Sequence, residues 1–179
     1  KNSNYAGCAS GESIVGLGDS FRDLYQYQKI TAQTGASCVA WLWNFEMGLG
    51  KTASVLLALS LRKAKRILIV CPAMARRTWE DEIKKWWEGH PPIQVVKNGN
   101  EAQKIFEPIV IISYGLLQKL GKRDGYDAVI FDEIHYLQNP DARRSIEARK
   151  FLSENPQAWK AGLTGTLITN EPTSAYNIF

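Results

Sequence analysis

Cysteine is scarce in this chain of 179 residues: three thiols, odd in number and far apart, at Cys8, Cys38 and Cys71. Such spacing offers neither a disulfide framework nor a zinc site. Cys38 and Cys71 lie in apolar runs, where a thiol serves as a small hydrophobe. A reducing intracellular compartment fits best, whether cytoplasm, nucleus or, for a viral protein, the host cytoplasm. Long apolar runs are also missing, because WLW and LLALSL are soon interrupted, and no membrane partner is expected. The opening KNSNYAGCASGES has no apolar core or cleavage pattern, which excludes a secretory signal. It lacks Met as well, as a cut-out fragment would. Charge of one sign hardly dominates: the formal net charge of +4 permits a nucleic-acid partner without requiring one. Internal repeats and low-complexity tracts are absent.

What is present suits one well-buried domain. Residues 1–20, rich in Gly, Ser and Asn, read as a flexible leader. From Phe21 to the end, helix and strand patterns alternate. Helices are predicted near 23–33, 51–64, 73–87, 114–120 and 141–153, with a short one from Pro172 onward. Strands are predicted at 38–44, 66–72, 93–96, 109–113, 127–131 and 159–166. Trp79, Ile83, Trp86 and Trp87 share one helical face, and Asn139-Pro140-Asp141 is the start signal of the 141–153 helix. Alternation of this kind implies an α/β fold with a mostly parallel central sheet and helices on both faces.

The most informative segment is FEMGLGKT, 45–52, between the apolar run CVAWLWNF and the helical run TASVLLALSL. A strand, glycine loop and helix in this order let backbone N–H groups cradle phosphates at a helix N-terminus. Gly48 and Gly50 allow close backbone approach. Lys51 would reach the β- and γ-phosphates, and the Thr52 hydroxyl would ligate Mg²⁺. The strict loop pattern wants Gly at the position of Phe45. About 80 residues on, the buried run VIF delivers Asp132 and Glu133 to a strand end, where open α/β sheets place ligands. Asp132 would hold the metal through its water shell, and Glu133 would orient and deprotonate the attacking water. The two motifs together point to binding of a nucleoside triphosphate with Mg²⁺.

Basic residues cluster at Arg62, Lys63, Lys65 and Arg66; at Arg76 and Arg77; at Lys119, Lys122 and Arg123; and at Arg143, Arg144, Arg149 and Lys150. Each alone reads as a solvated helix face. They bear on function only if the fold gathers several on one surface.

Read in order, LYQYQ, FEMGLGKT, ILIVCPA with TWEDEI, ISYG, DEIHYLQN and LTGT resemble the first lobe of a superfamily-two helicase. The EMGLGKT loop, Trp79, and the Asn139 and Ser145 pattern resemble the Swi/Snf-like double-stranded-DNA translocases over residues 21–179. That resemblance implies a three-layer RecA-like P-loop NTPase domain, ATP with Mg²⁺ as cofactors, and two partners: duplex DNA and a second RecA-like lobe. It implies that Gln28 reads adenine, since an amide can pair with N6 and N7 of that base. Lys51, Asp132 and Glu133 match catalytic positions. His135 and the Thr164-Gly165-Thr166 turn match residues coupling the γ-phosphate to lobe movement. Pro72, Ala73, Ser113, Tyr114 and Gly115 match elements gripping the nucleic-acid backbone. Departures are Gln26 for proline, Phe45 for an acidic residue, Ile134 for a small one and Leu167 for proline.

On the residues alone, Gln28 could be an ordinary exposed helix residue and His135 a structural histidine. The tryptophans read as packing, and Thr164 and Thr166 as turn formers. An RNA-directed DExH helicase lobe shares the loop and acidic pair, and a non-hydrolysing nucleotide-sensing module is the alternative of another class.

Overall fold

Residues 21–165 are described by a computed structural model. Six apolar runs form one wholly parallel sheet: β1 (Ala40–Asn44), β2 (Ile67–Cys71), β3 (Ile93–Val95), β4 (Ile109–Ser113), β5 (Ala128–Asp132) and β6 (Trp159–Thr164). Their spatial order is β1-β6-β5-β2-β4-β3. α1 (Gln26–Ser37) precedes β1; parallel strands need crossovers, and these are α2 (Lys51–Leu61), α3 (Arg76–Trp86), α4 (Gly99–Gln103) and α5 (Arg143–Glu154), with 3₁₀ turns among them.

The central strands β2, β4 and β5 are almost wholly apolar and buried because both faces are covered. Ile67, Ile69, Ile111 and Ile130 point to one core, shared with Ala32 of α1, the buried stretch Ala53–Leu59 of α2, and Trp79 and Ile83 of α3. Leu68, Val70, Ile112, Val129 and Phe131 point to the other, with Leu117, Ala148, Phe151 and Leu152. The predicted three layers are therefore present. The chain leaving β1 covers the first face and the chain leaving β5 the second, so the strand ends between them open a crevice.

Several boundaries differ from expectation for local reasons. The first helix spans 26–37 rather than 23–33, because Phe21 and Leu24 are buried in a preceding turn and Tyr25 is extended at the N-cap. It continues through Gly35, where a Cβ would come 2.9 Å from Trp41 and Trp43; the glycine serves close packing, not termination. The 73–87 helix is divided: Ala75 N–H bonds Pro72 C=O at 2.9 Å in a 3₁₀ turn (73–75) before α3. Residues 114–119 are 3₁₀ rather than α. In the turn before α5, Asn139 Oδ1 accepts the Asp141 N–H at 3.0 Å, which delays the helix to Arg143. Helix α4 was not expected, although Asn98 caps it by accepting from Asn100 and Glu101 N–H, and Glu101 accepts from Lys97 N–H. The predicted leader, Thr166, Leu167 and the helix from Pro172 lie outside the described residues. No helix among the described residues is long and apolar enough to cross a membrane.

Candidate functional site

All six strands run the same way, so β1, β6 and β5 end on one edge of the sheet. Asn44 is level with Thr164, and Asp132 with Leu163. At the usual interstrand spacing, the exits of β1 and β5 lie about 10 Å apart with the β6 exit between them. The glycine loop, the Thr164-Gly165 turn and the acidic pair are thus brought together.

The loop leaves β1 at Phe45 and enters α2 at Lys51. Gly48 (φ +83°) and Gly50 (φ +72°) are both left-handed, which side chains resist. No side chain caps the α2 N-terminus, so its first N–H groups remain available to an anion. Lys51 Nζ donates to the carbonyls of Phe45 (2.9 Å) and Glu46 (3.2 Å), which holds the ammonium across the loop. The Gly165 backbone lies against that ammonium: a Cβ there would sit 3.4 Å from Lys51 Nζ and 3.1 Å from Met47.

Gln28 is not an exposed helix residue. It is buried, its Oε1 accepts the Tyr25 N–H at 2.8 Å, and its Nε2 donates to Leu49 C=O at 3.1 Å. The amide so pins α1 to the glycine loop, keeping one N–H and one lone pair beyond these bonds. A Cβ on Gly50 would fall 2.0 Å from Gln28 Nε2, whereas one on Gly48 would meet nothing within 4 Å. Gly48→Ala should therefore cost about 1–2 kcal/mol of backbone strain alone. Gly50→Ala should cost about 2–4 kcal/mol, because it also expels Gln28 from its hydrogen bonds. Denaturant unfolding of the two variants checks the difference; equal losses would mean that Gln28 does not constrain the loop.

Across the crevice, Asp132 accepts two hydrogen bonds, from the Trp79 indole N–H at Oδ2 (2.9 Å) and from Glu133 N–H at Oδ1 (3.0 Å). Burial pushes its carboxyl above the ordinary 3.8; the Trp79 bond opposes this, the Glu133 charge adds to it, and Lys51 is near enough to pull it down. Glu133 has a left-handed backbone (φ 51°, ψ 56°), uncommon for a residue with a Cβ. Its Oε2 lies 3.1 Å from His135 Nδ1, close enough for an ion pair when the ring is protonated. The pair is misaligned for a hydrogen bond, so both buried atoms lack a hydrogen-bond partner among the described residues. Thr164 is fully buried between the two halves.

Of the residues expected to hold magnesium, Thr52 lies in the first turn of α2 and Asp132 ends β5, and both offer oxygen, which suits a hard cation. No group of three or more His, Cys, Asp or Glu could hold a metal among the described residues.

Three of the four departures from the family pattern lie among the described residues and are locally accommodated. Ile134 is 1% exposed and packs in the second core, away from solvent. Gln26 takes the first helical position of α1, where proline and other residues are equally tolerated. Phe45 packs edge-on against Tyr27.

A second feature is a groove of about 640 Å³ lined by Pro72, Ala73, Ser113, Tyr114 and Gly115, together with Met74, Tyr136, Arg143 and Arg144. The residues predicted to grip a nucleic-acid backbone thus share one surface. Of the basic clusters, only the one at α5 lines it. Arg123 instead pairs with Glu147 and Glu154, Arg76 bonds the Ala73 and Val96 carbonyls, and Arg62 bonds Ala36 and Cys38 carbonyls. The Tyr114 hydroxyl donates to Asp132 C=O at 2.7 Å, and its ring stacks on Tyr136 at 5.4 Å, so the groove wall touches the acidic strand end.

A profile of the SNF2-related domain matches residues 37–179, most of the chain. The chain belongs to the SNF2-related family. Among curated relatives, the Xenopus tropicalis SWI/SNF-related matrix-associated actin-dependent regulator of chromatin subfamily A-like protein 1 is 30% identical over 136 residues, spanning 73% of this chain. The mouse DNA excision repair protein ERCC-6 is 27% identical over 200 residues, spanning 89% of it. This SNF2-related chain spans only 14% and 13% of the lengths of those relatives. A solved Sulfolobus solfataricus SWI2/SNF2 ATPase core in complex with dsDNA superposes with a TM-score of 0.74 at 21% identity, covering 88% of this chain and 36% of that one. The SNF2-related fold is therefore the RecA-like α/β architecture that the motif order implied.

Sequence reasoning missed Trp79 as a donor to Asp132. Its helical position identified a core tryptophan, and Trp79 is indeed 2% exposed. A buried indole N–H usually finds an acceptor, but only the tertiary fold names it.

Proposed function

We propose that residues 21–179 are the first RecA-like lobe of an ATP-dependent double-stranded-DNA translocase or remodelling ATPase, hydrolysing ATP to ADP and phosphate when completed by a second lobe. The observation that carries this is the meeting of the Lys51 loop, the Thr164-Gly165 turn and the Asp132-Glu133 pair on one sheet edge. In this reading Lys51 and the loop N–H groups bind the phosphates, and Thr52 and Asp132 hold Mg²⁺. Magnesium would supply charge neutralisation between phosphate oxygens. Glu133 takes the proton of the attacking water, while His135, Thr164 and Thr166 couple the site to lobe movement. Gln28 contacts adenine through its remaining valences.

The duplex-DNA partner is supported by the groove, whose Ser113 hydroxyl and Arg143 guanidinium suit phosphates rather than base edges, and by the DNA-bound archaeal core of like fold. A second lobe would add the arginine fingers, worth about 10³–10⁵ in rate in related reactions. The isolated chain should accordingly be a weak ATPase or none. A reducing, intracellular compartment is part of this reading, supported by Cys71, which lies buried in β2 and whose thiol burial pushes up to about 12 and so keeps inert.

Steady-state ATPase of the full-length protein tests the assignment. Duplex DNA should stimulate turnover, and single-stranded RNA should not. Absence of DNA stimulation removes the translocase reading, and stimulation by RNA alone replaces it with the DExH helicase.

A further inference from the structure

Asp132 is held at both oxygens by donors that have no freedom to move away. One is the backbone N–H of its neighbour Glu133 at Oδ1. The other, at Oδ2, is the indole N–H of Trp79, which arrives from α3, 53 positions earlier in the chain, at 2.9 Å. Trp79 is 2% exposed and packed in the core with Ile83 and Ala75, so its ring cannot swing to another acceptor. An indole nitrogen is a donor only, and each carboxylate oxygen keeps a second lone pair after accepting one bond. Packing alone does not require this arrangement. A phenylalanine would fill most of the same space, whereas a nitrogen facing the metal-holding group satisfies a chemical need.

We propose that Trp79 is a positioning residue for magnesium: its indole N–H fixes the Asp132 carboxylate in the orientation that receives the cation of the bound nucleotide. The inference rests on the reading of Asp132 as a magnesium residue. Groups that orient metal ligands typically account for about 10–100-fold in metal affinity. Because Asp132 would act through water, the lower end applies.

The test is ADP affinity of this chain by calorimetry, with Mg²⁺ and again with EDTA, for wild type, Trp79→Phe and Asp132→Asn. The ratio of the two affinities is the magnesium-linked gain. In Trp79→Phe that gain should shrink by about tenfold, while the affinity in EDTA, which reports the Lys51 loop, stays as in wild type. A purely structural role would lower both together. An undiminished gain in a Trp79→Phe chain that melts like wild type overturns the proposal. Should the phenylalanine variant melt early, the benzothienyl analogue at position 79 replaces N–H by sulfur within the same outline, and a full gain there overturns it equally. Loss of gain in Asp132→Asn but not in Trp79→Phe defeats the indole's role alone. No loss in Asp132→Asn defeats the magnesium reading itself.

Discussion

Lys51→Ala in the full-length protein should lower ATP turnover by at least about 10²–10³-fold, the cost of deleting one preorganised donor from a charge-developing site. Lys51 is the first residue of α2, and its ammonium sits over the crevice, fixed by the Phe45 and Glu46 carbonyls and backed by Gly165. It is the one cation identified near both the loop and Asp132. The substitution also releases the two loop carbonyls, so nucleotide affinity should fall along with turnover. It removes little apolar packing, and the fold should survive: α2 is anchored by Ala53 to Leu59, all buried. Phosphate release and a thermal melt on the same preparation separate the two effects. Turnover that persists in a folded variant would remove the loop from the chemistry.

Glu133→Gln should have the opposite signature on binding. Turnover should drop by about 10²–10⁴-fold, the usual worth of a positioned general base, while nucleotide affinity is kept. Glutamine preserves the shape, and the left-handed backbone at 133 is no worse for it than for glutamate. What disappears is an acceptor basic enough to take a proton. The carboxylate is suited to that task because its buried Oε2 has no hydrogen bond among the described residues, and its close neighbour is the His135 ring. Single-turnover hydrolysis alongside equilibrium nucleotide binding reads both quantities. Equal loss of both would make Glu133 a binding residue; hydrolysis at the wild-type rate would strip it of the base role.

Much of this was legible from the sequence because the signals are local. A short apolar run such as ILIVC, closed by Pro72, reads as a strand covered on both faces, and the register places its residues alternately in two cores. Gly48 and Gly50 were expected to let the backbone approach a ligand closely, and the structure adds that both adopt positive φ, +83° and +72°. Boundaries were less legible where a side chain competes with helical hydrogen bonds, as Asn139 does before α5. Gln28 shows the limit most clearly. Only the family resemblance marked it for function, and nothing near it in sequence announces Leu49 as the partner of its amide.

The order of the motifs, the strand-loop-helix grammar around Lys51 and the acidic end of β5 were therefore decided by the sequence itself, since each depends on residues within a few positions of one another. Only the tertiary structure decided that β6 stands between β1 and β5, that the segments after β2 and β4 meet α5 in one groove, and that Trp79 is tied to Asp132. Those contacts join residues dozens of positions apart. They exist because two buried faces must be covered at once, a condition that no single stretch of chain can express.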